Sequence, residues 1–203
     1  MTEDEFKPIV RAILGQFGFQ CRDLEPRHGL LTPDFEVHGK KDKYTIELKI
    51  KDDDAAEIAK EAEALAGGGV VGKSTPIGPR NRLAGIIGSG VEQLLAHDPK
   101  GESFRVLWLH SAGQDPELHD DRLYATLFGT EKLFSLKHPR IMTCFYYHAS
   151  AFYSWREHLD GALLTYLVSD GLRIKLCINT LSPKIDQFRQ CELVQIMSQA
   201  TPN

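Results

Sequence analysis

The chain has 203 residues, 42% hydrophobic and 26% charged, which are values of a globular protein and not of a disordered one. The formal net charge of −4 excludes a protein that coats nucleic acid by its overall charge, but it leaves room for one local basic cleft. No apolar run is long enough for a transmembrane helix, and the acidic first residues are unlike a signal peptide. The four cysteines are scattered without metal-ligand spacing, which predicts reduced thiols in a cytoplasmic protein.

The N-terminal residues predict a helix. Thr2 followed by Glu5 is a capping-box pattern, and apolar residues then recur at helical spacing as far as Phe17. Pro8 falls within the first turns and is expected to shorten the helix or delay its start. Residues 19–24 then alternate as a strand.

Two short alternating runs, residues 32–37 and 44–51, flank a turn rich in Gly, Lys and Asp, which is the pattern of an antiparallel hairpin. Because side chains alternate between the faces of a strand, one face of the second run is apolar and points to the core. The opposite face carries Glu47 and Lys49 and is expected to point away from the core. Asp34 begins the first run, so the hairpin brings a second carboxylate towards this polar face.

The rest of the chain predicts alternating helices and strands. Residues 55–66 read as a peripheral helix, 80–96 as a second main helix and 103–110 as a buried strand. The first half, about residues 1–111, is therefore expected to form a core and about 112–203 a C-terminal extension of the same domain. Five later segments predict a helix, three strands and a last helix, which could extend the sheet, cover its other face or form a partner surface: 117–128, 141–148, 162–168, 173–179 and 183–191.

The polar face of the hairpin has the parts of a hydrolytic metal site. Mg²⁺ takes one or two carboxylates together with waters and phosphate oxygens, and Asp34 and Glu47 supply such a pair. Lys49 could orient the nucleophilic water and offset charge that builds on phosphorus. An acid-x-Lys triplet by itself is a weak signal, because Glu5-Phe6-Lys7 and Asp98-Pro99-Lys100 also contain one. An ordinary surface hairpin with a charged solvent face is the alternative interpretation.

Pro33-Asp34 followed by Glu47-Leu48-Lys49 resembles the signature of the PD-(D/E)XK nuclease superfamily. The predicted order of helix, three strands, helix and strand is similar to the αβββαβ core of that family. The resemblance implies a restriction-endonuclease-like α/β fold, with a mixed central sheet flanked by helices. It also implies Mg²⁺-dependent hydrolysis of DNA phosphodiester bonds, with Mn²⁺ as a substitute, by an endonuclease that could be of the restriction type.

The resemblance also implies roles for individual residues. Glu5 on the first helix is an auxiliary metal-ligand candidate, and Glu3 is the alternative acid. Three metal ligands and one residue that aligns the water are implied on the hairpin: Asp34, Glu47, the Leu48 carbonyl and Lys49.

Lys73, Arg80 and Arg82 bracket the start of the second main helix, where backbone N–H groups favour phosphate. We expect these three side chains to contact the DNA backbone, and solvated helix-end residues are the equally simple alternative. A symmetric endonuclease that cuts both strands often needs a dimer, and the sequence is compatible with a homodimer. We expect DNA as the binding partner and no association with a membrane.

Two other functions are compatible with the sequence. The first is a catalytically idle module of the same fold that binds DNA or a protein partner. The second is a P-loop nucleotidase, because residues 67–74 match the pattern GxxxxGK[ST]. A working P-loop follows a strand and opens a helix, whereas here the preceding residues are predicted to be helical and Pro76 and Pro79 interrupt the following ones.

Overall fold

A mixed six-stranded sheet forms the centre of the structure, a computed structural model that describes residues 1–26, 31–72, 77–134 and 140–200. In those ranges the strands are, in chain order, β1 (Gln20–Asp23), β2 (Phe35–His38), β3 (Lys43–Lys51), β4 (Phe104–Ser111), β5 (Thr130–Phe134), β6 (Ile141–Phe145), β7 (Gly161–Val168) and β8 (Gly171–Ile178). Across the large sheet the order is β1-β2-β3-β4-β7-β8, and β5 and β6 pair separately.

The sheet is parallel at its centre and antiparallel at both sides. β4 runs parallel to β3 and β7, while β1, β2 and β3 form an antiparallel meander and β8 pairs antiparallel with β7. The hairpin predicted from the alternating runs is confirmed as β2 and β3. The β3 residues 44–48 are buried, as expected for a strand with neighbours on both sides and helices on both faces.

The helices cover both faces of this sheet. Within the described residues they are α1 (Glu3–Gln16), α2 (Ala55–Ala66), α3 (Asn81–His97), α4 (Pro116–Phe128), α5 (Ala151–Ser154), α6 (Ile185–Gln190) and α7 (Glu192–Ala200), with one 3-10 turn at Tyr147–Ala149. None of them is long and apolar enough to span a bilayer.

Two hydrophobic cores lie on opposite sides of the sheet. Leu48 and Trp108 pack with α1, α6 and α7, on what we name the α1 face. Leu107 and Leu109 pack with α3, α4 and α5, on the α3 face. Successive residues of β4 thus enter different cores, which is the period-two pattern of a strand covered on both sides. The predicted α/β class, with a mixed central sheet flanked by helices, is confirmed.

Helix α1 begins earlier than its proline suggested. The Thr2 capping box is confirmed, but Pro8 lies inside a helix that already begins at Glu3, so the expected delay is wrong. Pro8 costs the helix one backbone hydrogen bond. The burial of Phe6 and Val10 against the sheet offsets that loss.

The C-terminal half adds strands to the same sheet. β7 and β8 extend it beyond β4, so these residues share both cores with the first half. The helix predicted for 183–191 is confirmed as α6, but it is not the last one, because α7 follows at Glu192–Ala200. β5 was not predicted, since its burial falls from Thr130 to an exposed Phe134 and leaves no alternating signal.

Candidate active site

The β2–β3 hairpin sets Asp34 directly opposite Glu47. Phe35 pairs with Ile46 in antiparallel register. Asp34, just before Phe35, therefore faces Glu47, just after Ile46. The Asp34 carbonyl accepts a hydrogen bond of 2.9 Å from Leu24, which ties this position to the end of β1 as well. The alternation of β3 then puts Lys49 on the same side as Glu47. The three residues predicted to be catalytic are therefore brought together.

The two carboxylates are held by backbone groups of the opposite strand. The Asp34 N–H donates to Glu47 Oε2 at 3.0 Å, and the Leu48 N–H donates to Asp34 Oδ2 at 2.9 Å. Lys49 Nζ lies 2.5 Å from Glu47 Oε1. Each carboxylate is thus oriented by at least one fixed donor, which holds the pair in one geometry before any ligand binds.

The polar side of the hairpin is buried and not solvated. Glu47 is only 1% exposed, so the expectation that this face points away from the core is wrong. The reason is that α3 packs on it. The nearest heavy atoms to a methyl group placed on Gly90 of α3 would be Leu107 Cδ2, Glu47 Cγ and Lys49 Cγ, at 2.7, 3.4 and 3.7 Å. Glycine at this position lets the helix approach the strand closely.

Burial and a second carboxylate change the acidity of Glu47. Removal of the carboxyl from water, followed by the negative charge of Asp34, raises the pKa of Glu47 to about 8, although Lys49 opposes the shift. With this pKa Glu47 retains its proton at neutral pH. A cation that approaches both carboxylates would favour the ionised form.

Lys7 is a member of the site that the sequence analysis missed. Its Nζ lies 2.8 Å from Asp34 Oδ1 and 3.1 Å from Asp4 Oδ1. Burial acts to lower the pKa of Lys7, but hydrogen bonds to Asp34 and Asp4 outweigh it and raise that pKa above its ordinary value. The acid-x-Lys triplet that contains Lys7 was the only local signal, and it carried no information about where the helix would dock.

The two acids proposed as auxiliary ligands behave differently. Glu3 Oε1 lies 3.7 Å from Lys49 Nζ. The Glu5 carboxylate is exposed and accepts a hydrogen bond of 2.7 Å from the Thr2 N–H, as the capping box requires. Since Glu3 and Lys7 are four residues apart, they share one face of α1, and Glu5 points to a different side. The structure thus brings Glu3 towards the site and not Glu5.

Leu48 and Gln93 frame the site from two sides. The Leu48 side chain is fully buried on the α1 face, and only its backbone takes part in the site. From α3, Gln93 Nε2 donates to the Thr32 carbonyl at 3.3 Å and so holds the start of β2 against the helix.

The predicted DNA-binding residues are only partly described. Lys73 lies outside the described residues. Arg80 is the N-cap of α3, and Arg82 is in its first turn, where Nη1 lies 3.3 Å from Asp54 Oδ2. Both arginines line a cleft at the C-terminal end of β3, on the same side of the strand as Lys49.

The glycine-rich loop lacks the setting of a P-loop in its described part. Residues 67–72 follow helix α2, not a strand, and α3 begins only at Asn81. Residues 73 and 74 lie outside the described part of the chain. The helical prediction for residues 55–66, which argued against a nucleotidase, is confirmed, and α2 buries none of its residues.

The residues present fit a magnesium ion. Two carboxylates on adjacent strands leave most of the coordination positions to water and phosphate, which Mg²⁺ prefers to a full protein cage. Each of the four carboxylate oxygens already has one partner, and each keeps a further lone pair. A metal bound there would compete with the Lys7 ammonium for the negative charge of Asp34. Among the described residues, no group of three or more His, Cys, Asp or Glu side chains could hold a metal ion.

Comparisons with known proteins match this chain to no family model, to no curated protein and to no solved structure.

Proposed function

We propose that this chain is a Mg²⁺-dependent deoxyribonuclease with a restriction-endonuclease-like fold. The observation that supports this most is the buried pair of Asp34 and Glu47 on opposing strands, with the Lys49 ammonium 2.5 Å from Glu47 Oε1. A surface hairpin with a solvated charged face would expose this glutamate. The element order α1, β1, β2, β3, α3 and β4, with α2 inserted, agrees with the αβββαβ order of the PD-(D/E)XK superfamily.

In this mechanism Asp34 and Glu47 would hold the metal, and backbone N–H groups of the opposite strand keep their carboxylates in place. A magnesium ion bound there would lower the pKa of a coordinated water and offset negative charge on the phosphate. Lys49 positions the attacking water and stabilises the charge that builds on the phosphate oxygens. Glu47 must lose its proton first, because only the carboxylate binds a metal.

A second function is favoured by a different observation. Lys7 pairs with Asp34 and Lys49 lies against Glu47, so each carboxyl group already has a cationic partner within the chain. A catalytically idle module that binds DNA or a protein partner would have this property. The nuclease has the same contacts, but in it a bound metal would compete with Lys7 for Asp34.

Cleavage of plasmid and linear DNA separates the two functions. We expect cutting by the wild-type protein with Mg²⁺ or Mn²⁺ and none with EDTA. Asp34→Ala and Glu47→Ala each remove a ligand, so each should abolish cutting while DNA binding survives. Lys49→Ala should lower the rate by about 10²-fold, the usual cost of one preorganised electrostatic contact. Circular dichroism of each variant checks that it folds.

Cleavage of DNA by folded Glu47→Ala at the wild-type rate would contradict this mechanism. DNA binding by the wild-type protein without cutting of any DNA, together with no uptake of Mn²⁺ in a calorimetric titration, would establish the idle module instead.

A further inference from the structure

A cleft of about 580 Å³ lies next to the candidate active site, and no part of the mechanism uses its floor. Its walls are α2, the first turn of α3 and one side of α4, and Lys51 at the end of β3 contributes to it. Because side chains on a strand alternate, Lys51 lies on the same side as Glu47 and Lys49. The cleft therefore continues the row of polar side chains that forms the active site.

Several cationic side chains meet in this cleft. Lys51, Arg82 and Arg122 all line the cleft. Burial and then the positive charge of Arg82 lower the pKa of Lys51 from its ordinary value, Asp53 and Asp52 oppose this shift, and Arg122 adds to the lowering. Like charges are brought together at a cost in free energy, which a bound anion relieves. The positive end of α3 adds to the same potential.

Two buried nitrogen atoms in the cleft wall lack hydrogen-bond partners among the described residues. They are Arg122 Nε and His119 Nδ1, which belong to adjacent turns of one side of α4. His119 Nε2 is already held by Asp53 Oδ1 at 2.8 Å. The guanidinium Nε of Arg122 always carries a hydrogen, so this buried donor without an acceptor among the described residues indicates a missing partner.

Five carboxylates also line the cleft, and three of them hold its walls in place: the five are Asp53, Asp54, Glu57, Glu61 and Asp115. Asp53 accepts from the Gln114 N–H at 2.6 Å as well as contacting His119. Asp54 caps α2 and pairs with Arg82, and Asp115 caps α4. Asp53, Asp54 and Asp115 thus position the walls. The Lys51 ammonium donates to the Asp52 carbonyl, and neither Lys51 nor Arg122 forms an ion pair with a carboxylate among the described residues.

We propose that this cleft is a phosphate-binding subsite in which Lys51, Arg82 and Arg122 hold a phosphate group of the DNA strand beside the scissile one. The proposal rests on the proposed nuclease function for its choice of DNA. Residues two apart on a strand are separated by roughly 6.6 Å, which is similar to the spacing of neighbouring phosphates along a nucleic acid strand. Lys49 and Lys51 can thus serve consecutive phosphates.

Phosphate is the ligand that suits these groups best. Arginine binds phosphate oxygens with two parallel hydrogen bonds, and a lysine adds a point charge. The phosphate could be an internal phosphodiester or a terminal phosphomonoester, which carries more negative charge. Both present the same oxygen atoms to the cleft.

Binding measured without hydrolysis tests the subsite separately from the nuclease. The full chain is titrated in EDTA with inorganic phosphate, and the arginine Nε–Hε signals are followed by NMR. We expect the Arg122 signal, assigned by its loss in Arg122→Lys, to shift on phosphate addition. The signal of Arg156, whose side chain is half exposed and near Glu157, should stay unchanged and is the control.

Fluorescence anisotropy with short DNA duplexes in EDTA gives the affinity. Lys51→Gln and Arg122→Gln should each weaken binding by about tenfold or more, since each removes a charge-assisted contact. Arg156→Gln should change it by less than about twofold. If Arg122→Gln does not fold, Lys51→Gln and the exposed Arg82→Gln carry the test. Tighter binding of a 5′-phosphorylated duplex than of its 5′-hydroxyl form assigns the terminal phosphate, and equal binding assigns the internal one.

Unchanged DNA affinity in folded Lys51→Gln and Arg82→Gln, or an Arg122 signal that ignores phosphate, would overturn the subsite. Cleavage that depends on Glu47 would then leave the nuclease standing. Conversely, phosphate binding by a protein that cuts no DNA keeps the subsite and removes the nuclease.

Discussion

The two faces of the central sheet each bury a titratable side chain, and the two groups have opposite surroundings. Glu47 lies under α3 on the α3 face, and His110 lies under α1 on the α1 face, both at most 1% exposed. His110 stacks on Phe6 with 3.8 Å between ring centroids, and its Nδ1 lies 3.0 Å from Thr165 Oγ1. No carboxylate is within ion-pair distance of its ring in the described residues.

The difference shows that burial of an ionisable group is not by itself a functional signal. Burial lowers the pKa of His110 to about 4, so it is a neutral core side chain at physiological pH. Burial raises the pKa of Glu47 to about 8, but the Asp34 carboxylate and the Lys49 ammonium lie next to it, and Lys7 pairs with Asp34. What separates the two positions is the set of charged neighbours, which for Glu47 is suited to a cation and a phosphate.

The largest expected effect is on the rate of DNA cleavage, in which variants of Glu47 and His110 should differ most. Glu47→Gln keeps the size of the side chain and removes its charge, so Mg²⁺-dependent DNA cleavage should fall by at least about 10³-fold. His110→Phe keeps a ring against Phe6 and should leave the cleavage rate within about threefold of wild type. Plasmid cleavage assays on both folded variants measure the two rates. Equal losses in the two variants would mean that the polar neighbours of Glu47 carry no chemistry.

The pH dependence of stability should have opposite signs for the two groups. Between pH 4.5 and about 8, unfolding in EDTA releases the Glu47 proton, so stability falls as the pH rises through this range. Between pH 6.5 and about 4, unfolding protonates His110, so stability falls as the pH drops. Each effect should be on the order of 1–4 kcal/mol. Urea denaturation across pH should lose the first slope in Glu47→Gln and the second in His110→Phe.

Two glycines of α3 test how closely the helix must pack on Glu47. Gly90→Ala places a methyl group 2.7 Å from the buried Leu107 Cδ2, so it should destabilise the fold by about 1–3 kcal/mol and slow cleavage. Gly85→Ala on the same helix meets no heavy atom within 4 Å and should stabilise by about 0.5–1 kcal/mol. Thermal unfolding measures both. A neutral Gly90→Ala would contradict the tight contact.

The smallest expected effect is a change in metal affinity on substitution of Lys7, a lysine of the Glu47 site that has no counterpart near His110. Lys7→Met removes an ammonium from Asp34, so Mn²⁺ should bind about tenfold more tightly, as measured by calorimetry. Lys100→Met, at an exposed position in the turn before β4, should leave metal affinity unchanged. Weaker Mn²⁺ binding in Lys7→Met would show instead that Lys7 supports the metal site.

Local sequence pattern by itself determined the hairpin and its polar row. Alternation of apolar and polar residues across a Gly-rich turn determines strand pairing and side-chain faces over a few residues, and Asp34, Glu47 and Lys49 follow from that. The capping box at Thr2 and the cap at Asp54 are equally local, because their hydrogen bonds join residues two or three apart.

Tertiary packing determined the contacts between residues that are distant along the chain, which the local sequence pattern does not specify. The burial of Glu47 depends on where α3 docks, the approach of Lys7 depends on α1, and Arg122 reaches the cleft from α4. These contacts join residues that are distant along the chain, and the chemistry of each residue alone does not specify its neighbours. Electrostatic interactions and desolvation depend on three-dimensional distance, so the pKa of Glu47 and the charge cluster of the cleft exist only once the elements have packed.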